Sequence, residues 1–290
     1  MNWTQLIAVA CCAALAACGS SDESDDPVLT PAEQELWASA PTDRSRVPVL
    51  RYRRTDPEQF ARQMTLLDHA GYEAITLAEF ARFTRGQEVR LPAHPLLLTF
   101  DGARTDTREA ADGVLEDLGW HATLFVDVGA VEEKRAGFLS YDELSQMQES
   151  GRWDVQLQSG TGNYEIRYGD GSDEEGSFYA YRGAEEVLGG WRERVFSDIT
   201  YGEDQLTFHV EGYRPLAVAP PDGNYGQVGT NDRRIARELL SRLLFTSEVV
   251  FTQDRSGFAS PARGKVVQGR LEVHPGTSSE KLHALLSADR

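Results

Sequence analysis

From Val47 onward the chain alternates short apolar segments with amphipathic ones, and this alternation most constrains what it can fold into. "VPVLRYR", "PLLLTFD", "HATLFVDVG", "RWDVQLQSG", "PLAV" and "EVVFTQD" read as strands. Between them, "DPEQFARQMTLLDHAGY" carries Phe60, Met64 and Leu67 at helical spacing, with Gly71 as its stop. "SYDELSQMQESG" opens on Ser140 three residues before Glu143, the spacing of a capping box. Strands separated by helices pair in parallel, and a parallel sheet needs helices over its faces. Roughly seven or eight such units suit a closed barrel better than an open sheet. The expected fold is therefore α/β, a (β/α)7–8 barrel over residues 47–290. In such barrels chemistry sits at the C-terminal strand ends, here "TFDGA", "LQSGTGN" and "APPDGNYG".

The segment before the barrel has another character. "LIAVACCAALAAC" (6–18) is an apolar run of signal-peptide length, ending in Leu15-Ala16-Ala17-Cys18. Small residues before a cysteine, followed by Gly19, resemble the lipobox of bacterial lipoproteins. That resemblance implies removal of residues 1–17 and lipidation of Cys18, although "MNWTQ" offers no Lys or Arg. The polar, acidic "GSSDESDDP" then reads as a tether, so that residues 18–46 link an anchor to the fold. The three cysteines are Cys11, Cys12 and Cys18, so the barrel has no disulfide. The expected location is the bacterial cell envelope, outside the cytoplasm. The formal net charge of −17 argues against nucleic acid and against anionic headgroups as partners, leaving the lipid anchor as the membrane contact.

"PLLLTFDGARTD" (95–106) concentrates the functional question, because its apolar strand ends on a carboxylate, Asp101. With "VPVLRYRR", "FARQMTLLDHAGYEAITLAEF" and "APPDGNYG", in that order, it resembles the polysaccharide deacetylase family, the NodB-homology domain. The resemblance runs from about Val47 to Val273. It implies an irregular (β/α) barrel, a carbon–nitrogen hydrolase acting on acetylated sugars, and a divalent metal such as zinc. In the family motif T-F-D-D-G the first Asp is the general base. The second Asp holds the metal together with two histidines from a later strand.

The matching positions depart from that pattern. Asp101 takes the general-base place, Gly102 the metal-binding Asp, and Ala103 the family's Gly. In "WDVQLQSGTGNYE", Gln158 takes the first histidine, and the second falls on Gly162 or, with longer spacing, on Asn163. Arg53 stands where the first strand often has His. None of the six histidines occupies a ligand position. A catalytic divalent site wants about three imidazole or carboxylate ligands and an open place for water. Glycine offers no ligand atom, and neutral amides suit zinc poorly. No bound metal and no other cofactor is expected.

The expected function is a metal-less pseudoenzyme that binds a cell-envelope or extracellular polysaccharide. Gln158, Asn163, Asp222 and Asp101 would hydrogen-bond sugar hydroxyls. Tyr164, Tyr168, Tyr179, Tyr181 and Tyr225 are candidates to stack on sugar faces. Two rivals stay open: a working deacetylase with an unusual ligand set, such as Asp101 with Asp106, and a scaffold that binds no sugar. Asp222 beside Asp101 would be a carboxylate pair of the kind glycosidases use. "GDGSDEE" (169–175) lacks the spacing of a calcium loop, and no serine stands in a G-x-S-x-G context.

Overall fold

The computed structural model describes residues 27–42, 45–168 and 174–288. The lipobox and Cys18 lie outside these residues, as does most of the acidic 169–175 run. In chain order the elements are α1 (Pro31–Leu36), β1 (Val47–Tyr52), α2 (Pro57–His69), β2 (Tyr72–Ala74), α3 (Leu77–Thr84), β3 (His94–Asp101) and α4 (Thr105–Leu118). There follow β4 (Ala122–Asp127), α5 (Val128–Glu132), α6 (Tyr141–Glu149), β5 (Trp153–Ser159), β6 (Glu165–Arg167), β7 (Glu175–Ser177) and α7 (Leu188–His209). The chain ends with β8 (Ala217–Val218), α8 (Ile235–Thr246), β9 (Val249–Thr252), β10 (Phe258–Ala259), β11 (Val266–Gly269), β12 (Leu271–Val273) and α9 (Ser279–Ser287).

One sheet runs β10-β1-β3-β4-β5-β8-β9-β11, with β12 beside β1 and β2 beside β3. All its pairs are parallel except β1 with β10. It curls into a nearly closed barrel, as the strand–helix alternation requires. Ser140 and Glu143 form the expected capping box on α6, and Gly119 ends α4 in a left-handed cap. β10 and β11, each too short to show a period, were not foreseen, and the polar segment after β5 holds the hairpin β6–β7.

Side-chain alternation divides the sheet into two faces. Leu50, Tyr52, Leu98, Phe100, Leu124 and Val155 pack outward under the helices. Val47, Val49, Leu97, Phe125, Ala217 and Phe251 form a second cluster inside the barrel. Counting on by twos from these inner residues gives Arg51 on β1, Thr99 and Asp101 on β3, and Asp127 on β4. The barrel interior is thus apolar below and polar at the C-terminal strand ends. That polar layer is the floor of the site.

The packed part of the chain begins earlier than Val47, which corrects the expectation of a tether through residue 46. Thr30 and Glu33 make a capping box on α1, and Trp37, fully buried, follows it. The Trp37 indole N–H donates to Ser279 Oγ at 2.9 Å, and its ring meets His283 edge-on. α1 is thereby clasped to α9, and the barrel's first and last helices close one surface together. Trp37→Ala should cost about 3–5 kcal/mol, the usual loss for a buried aromatic. Urea denaturation checks this; a loss below about 1 kcal/mol would mean that the segment is only laid on the surface.

Candidate functional site

A cleft of about 390 Å³ opens at the C-terminal strand ends. Asp101, Gly102, Gln158, Asn163 and Asp222 line it, together with Arg51, Arg53, Arg54, Arg104 and Glu272. The sequence therefore assembles four of its expected site residues in one place.

At the floor lies an ion cluster that the sequence did not disclose. Asp101 Oδ1 accepts from Arg270 Nη1 at 2.6 Å. Asp101 Oδ2 accepts from Arg51 Nε at 2.7 Å and from Arg270 Nη2 at 3.0 Å. Arg270 is the single residue between β11 and β12, and its side chain is fully buried. Its guanidinium carbon lies 5.5 Å from the Phe125 ring centre and 5.8 Å from that of Phe251, so two aromatic faces floor the cation. Arg51 also donates to Glu272 at 3.2 Å. Burial alone pushes the Asp101 pKa up. The charges of Arg270 and Arg51, and the hydrogen bonds they donate, outweigh that and hold it below the ordinary value.

The turn after Asp101 is reshaped as well. Gly102 has φ 99° and Ala103 φ 52°, two consecutive left-handed residues. A Cβ at Gly102 would find room, its nearest neighbour being Arg104 Cγ at 3.7 Å, but an aspartate there would be strained by the backbone itself. Ala103 accepts such a φ although it carries a Cβ, and it is fully buried.

On β5, Gln158 is only 7% exposed, lines the cleft, and has no hydrogen-bond partner among the described residues. Asn163 is pinned: its Nδ2 donates to Asp127 Oδ2 at 2.9 Å. Burial raises the Asp127 pKa, and the Asn163 hydrogen bond opposes this only in part. Of the two places open to the second histidine, Gly162 and Asn163, Asn163 is the one that lines the cleft. A Cβ on Gly162 would stand 2.4 Å from the Phe178 ring, so a side chain at position 162 requires that ring to move. The loop between them is stapled to α7, because Asp198 accepts from the Gly160 and Thr161 amides at 3.1 and 2.7 Å. Tyr179 O–H also donates to Asp198.

Asp222 projects from the turn after β8 with φ 54° and faces Arg53 at 3.7 Å. Thr252 Oγ1 and Gln227 Nε2 both donate to the Gly223 carbonyl, at 2.9 and 2.8 Å, and hold this turn over the cleft.

The aromatic expectation is corrected. None of Tyr164, Tyr168, Tyr179, Tyr181 and Tyr225 lines the cleft. Tyr225 and Tyr179 are core residues, 4% and 1% exposed, so neither offers a face to a sugar. Tyr168 and Tyr181 stack on each other, and Tyr164, though 55% exposed, lies against Phe178. Asp106 also lies outside the cleft lining and pairs with Arg104 at 3.3 Å, so it does not join Asp101 as a ligand.

The residues present do not fit a divalent metal. The one carboxylate at the motif is saturated by two guanidiniums, and its neighbours in the motif are glycine and neutral amides. Among the described residues no three His, Cys, Asp or Glu side chains gather as a metal requires.

Comparison with solved structures places this architecture. The chain superposes on a de-N-acetylase from Aggregatibacter actinomycetemcomitans with TM-score 0.70 and 14% identity, over 83% of this chain and 99% of that one. The BpsB deacetylase domain from Bordetella bronchiseptica gives 0.65 and 16%, over 80% and 97%. BC0361, a polysaccharide deacetylase from Bacillus cereus, gives 0.58 and 18%, over 83% and 69%. No protein-family model and no curated protein matches the sequence. The fold is that of the deacetylase barrels.

Asp101→Asn would leave the buried Arg270 without its counter-charge and Arg51 with Glu272 alone, and removing one partner of a buried ion cluster typically costs about 3–5 kcal/mol. The Asp101 pKa is depressed in the fold, so its contribution is complete above the unfolded carboxylate pKa of about 3.9 and is lost as pH falls through the lower folded value. Urea midpoints of wild type and Asp101→Asn should therefore differ by a constant amount from neutral pH to about pH 5 and converge only below about pH 4. Equal stabilities at neutral pH would refute the clamp.

Proposed function

We propose that this chain is a deacetylase-like envelope protein that binds a glycan in the Asp101 cleft and does not hydrolyse it. One observation carries the reading: the carboxylate at the general-base place is held on both oxygens by Arg51 and Arg270. A general base must take a proton at working pH, and efficiency favours a pKa near that pH. Two arginines act the other way, stabilising the anion and occupying three of the roughly four acceptor positions of the carboxylate. The motif's metal-holding positions supply no charged ligand, so these residues would not polarise an acetamide carbonyl or acidify a water.

The same arrangement suits recognition. Gln158 presents an unpartnered amide to a cleft of ligand size, Asn163 is pre-set by Asp127, and Asp222 stands at the mouth. Sugar hydroxyls pair with such groups. An open cleft whose aromatic ring, Phe138, lies under Arg104 gains little per contact, so affinity for short oligomers should be ~0.1–1 mM. The polysaccharide deacetylase from Bacillus cereus that shares the fold supports a polysaccharide as the ligand class. Lipidation at Cys18 would hold the barrel at a membrane surface. Among the described residues no helix is long and apolar enough to cross a membrane.

Two measurements test this. N-acetylglucosamine oligomers incubated with the protein and Zn²⁺ should release no acetate, while envelope glycan oligomers shift the Gln158 side-chain amide resonances in NMR titrations and Gln158→Ala weakens binding several-fold. Acetate release that Asp101→Asn abolishes would restore hydrolysis. For the anchor, Cys18→Ala should leave the membrane fraction. Retention of that variant, with no acyl label on the wild type, would reject lipidation.

A further inference from the structure

The charge of the cleft runs against that of the molecule. The formal net charge of the chain is −17, yet four arginines line this one cleft against three carboxylates. Two of those carboxylates are already matched in the floor: Asp101 by Arg51 and Arg270, and Glu272 by Arg51. Arg53 and Arg54 remain toward the mouth, with Arg104 beside them paired to Asp106 at 3.3 Å. Arg53 meets Asp222 only at 3.7 Å, with the two side chains 58% and 73% exposed, a pair that water and salt readily open. Arg54 is exposed and has neither an ion pair nor a side-chain hydrogen bond among the described residues. Arg104 lies over the Phe138 ring, 5.2 Å from its centre, which limits where its guanidinium can point. Below them Gln158, a residue 7% exposed, lines the cleft with a side-chain amide that has no hydrogen-bond partner among the described residues.

We propose that the cleft takes an anionic saccharide, a sugar unit bearing a carboxylate such as a uronate, with the carboxylate on Arg54 and Arg53 and ring hydroxyls on Gln158 and Asn163. The proposal rests on the glycan-binding reading above and names its ligand class. A guanidinium presents parallel N–H groups that match a carboxylate in two-pronged fashion. A neutral sugar would leave Arg54 unused, and a de-N-acetylated amino sugar would bring an ammonium against guanidiniums of like sign. The cleft volume, about 390 Å³, holds a short saccharide. The exposed Arg53–Asp222 pair would open as the carboxylate enters, since Arg53 exchanges a 3.7 Å contact for a direct one.

The test is an NMR titration of the full-length protein, read at the Gln158 side-chain amide. The probes are galacturonate oligomers, N-acetylglucosamine oligomers, glucosamine oligomers, and acetate and inorganic phosphate alone. Galacturonate oligomers should bind about tenfold more tightly than neutral oligomers, as expected for a charge-assisted pair. Arg54→Ala, an exposed change whose fold circular dichroism verifies, should abolish that advantage of charged over neutral oligomers. Arg54→Lys should keep part of it. Equal affinity for charged and neutral oligomers, or indifference to both Arg54→Ala and Arg53→Ala, overturns the anionic ligand while glycan binding stands. Acetate or phosphate binding as tightly as the oligomers would assign the rim to a free anion and overturn the saccharide. No response to any saccharide removes the glycan reading and this one with it.

Discussion

Everything at the mouth of this barrel depends on one buried ion cluster, Arg51–Asp101–Arg270. Such clusters are expensive to assemble, because each charge must leave water, and they endure only when hydrogen bonds satisfy nearly every polar atom. Here both carboxylate oxygens are used, and Arg270 rests on Phe125 and Phe251. Arg270 stands between the last two strands of the sheet, and Arg51 lies on the strand that pairs with one of them. The cluster therefore ties β1, β3 and the β11–β12 junction together inside the barrel. Under the proposed function, the carboxylate that serves as this tie is not the one offered as a base.

The fold was legible because it rests on short-range signals. Strand and helix periods, the Ser140–Glu143 box and the glycine stops are each contained within a few residues, and they agree with one another. Four site residues were legible because they sit at strand ends, where a parallel barrel must gather them. Arg270 was not, because 169 residues separate it from Asp101 and it stands alone between two strands of four and three residues. Arg51 did leave a trace: it is a charge at an inward register position between Leu50 and Tyr52, in a strand otherwise wholly apolar. Reading that parity would have required a counter-charge at the same level, which Asp101 supplies. Tyr225 misled because an aromatic in a Gly/Pro loop looks the same in sequence whether it faces solvent or the core. The packed segment before Val47 also carried a signal, since a buried tryptophan does not belong in a solvated tether.

The adjacent left-handed residues Gly102 and Ala103 have a consequence for how this molecule can change over generations. An aspartate at 102 brings backbone strain at once, and the carboxylate it adds would face a neighbour already bound to two guanidiniums. Replacing Arg51 or Arg270 first leaves Asp101 under-compensated in the core. Bringing histidine to position 163 first breaks the contact with Asp127. Each of these three steps toward a metal-binding mouth thus descends in stability, and folded proteins are only marginally stable. The barrel is in this sense ratcheted: along those routes, selection acting one substitution at a time meets a valley.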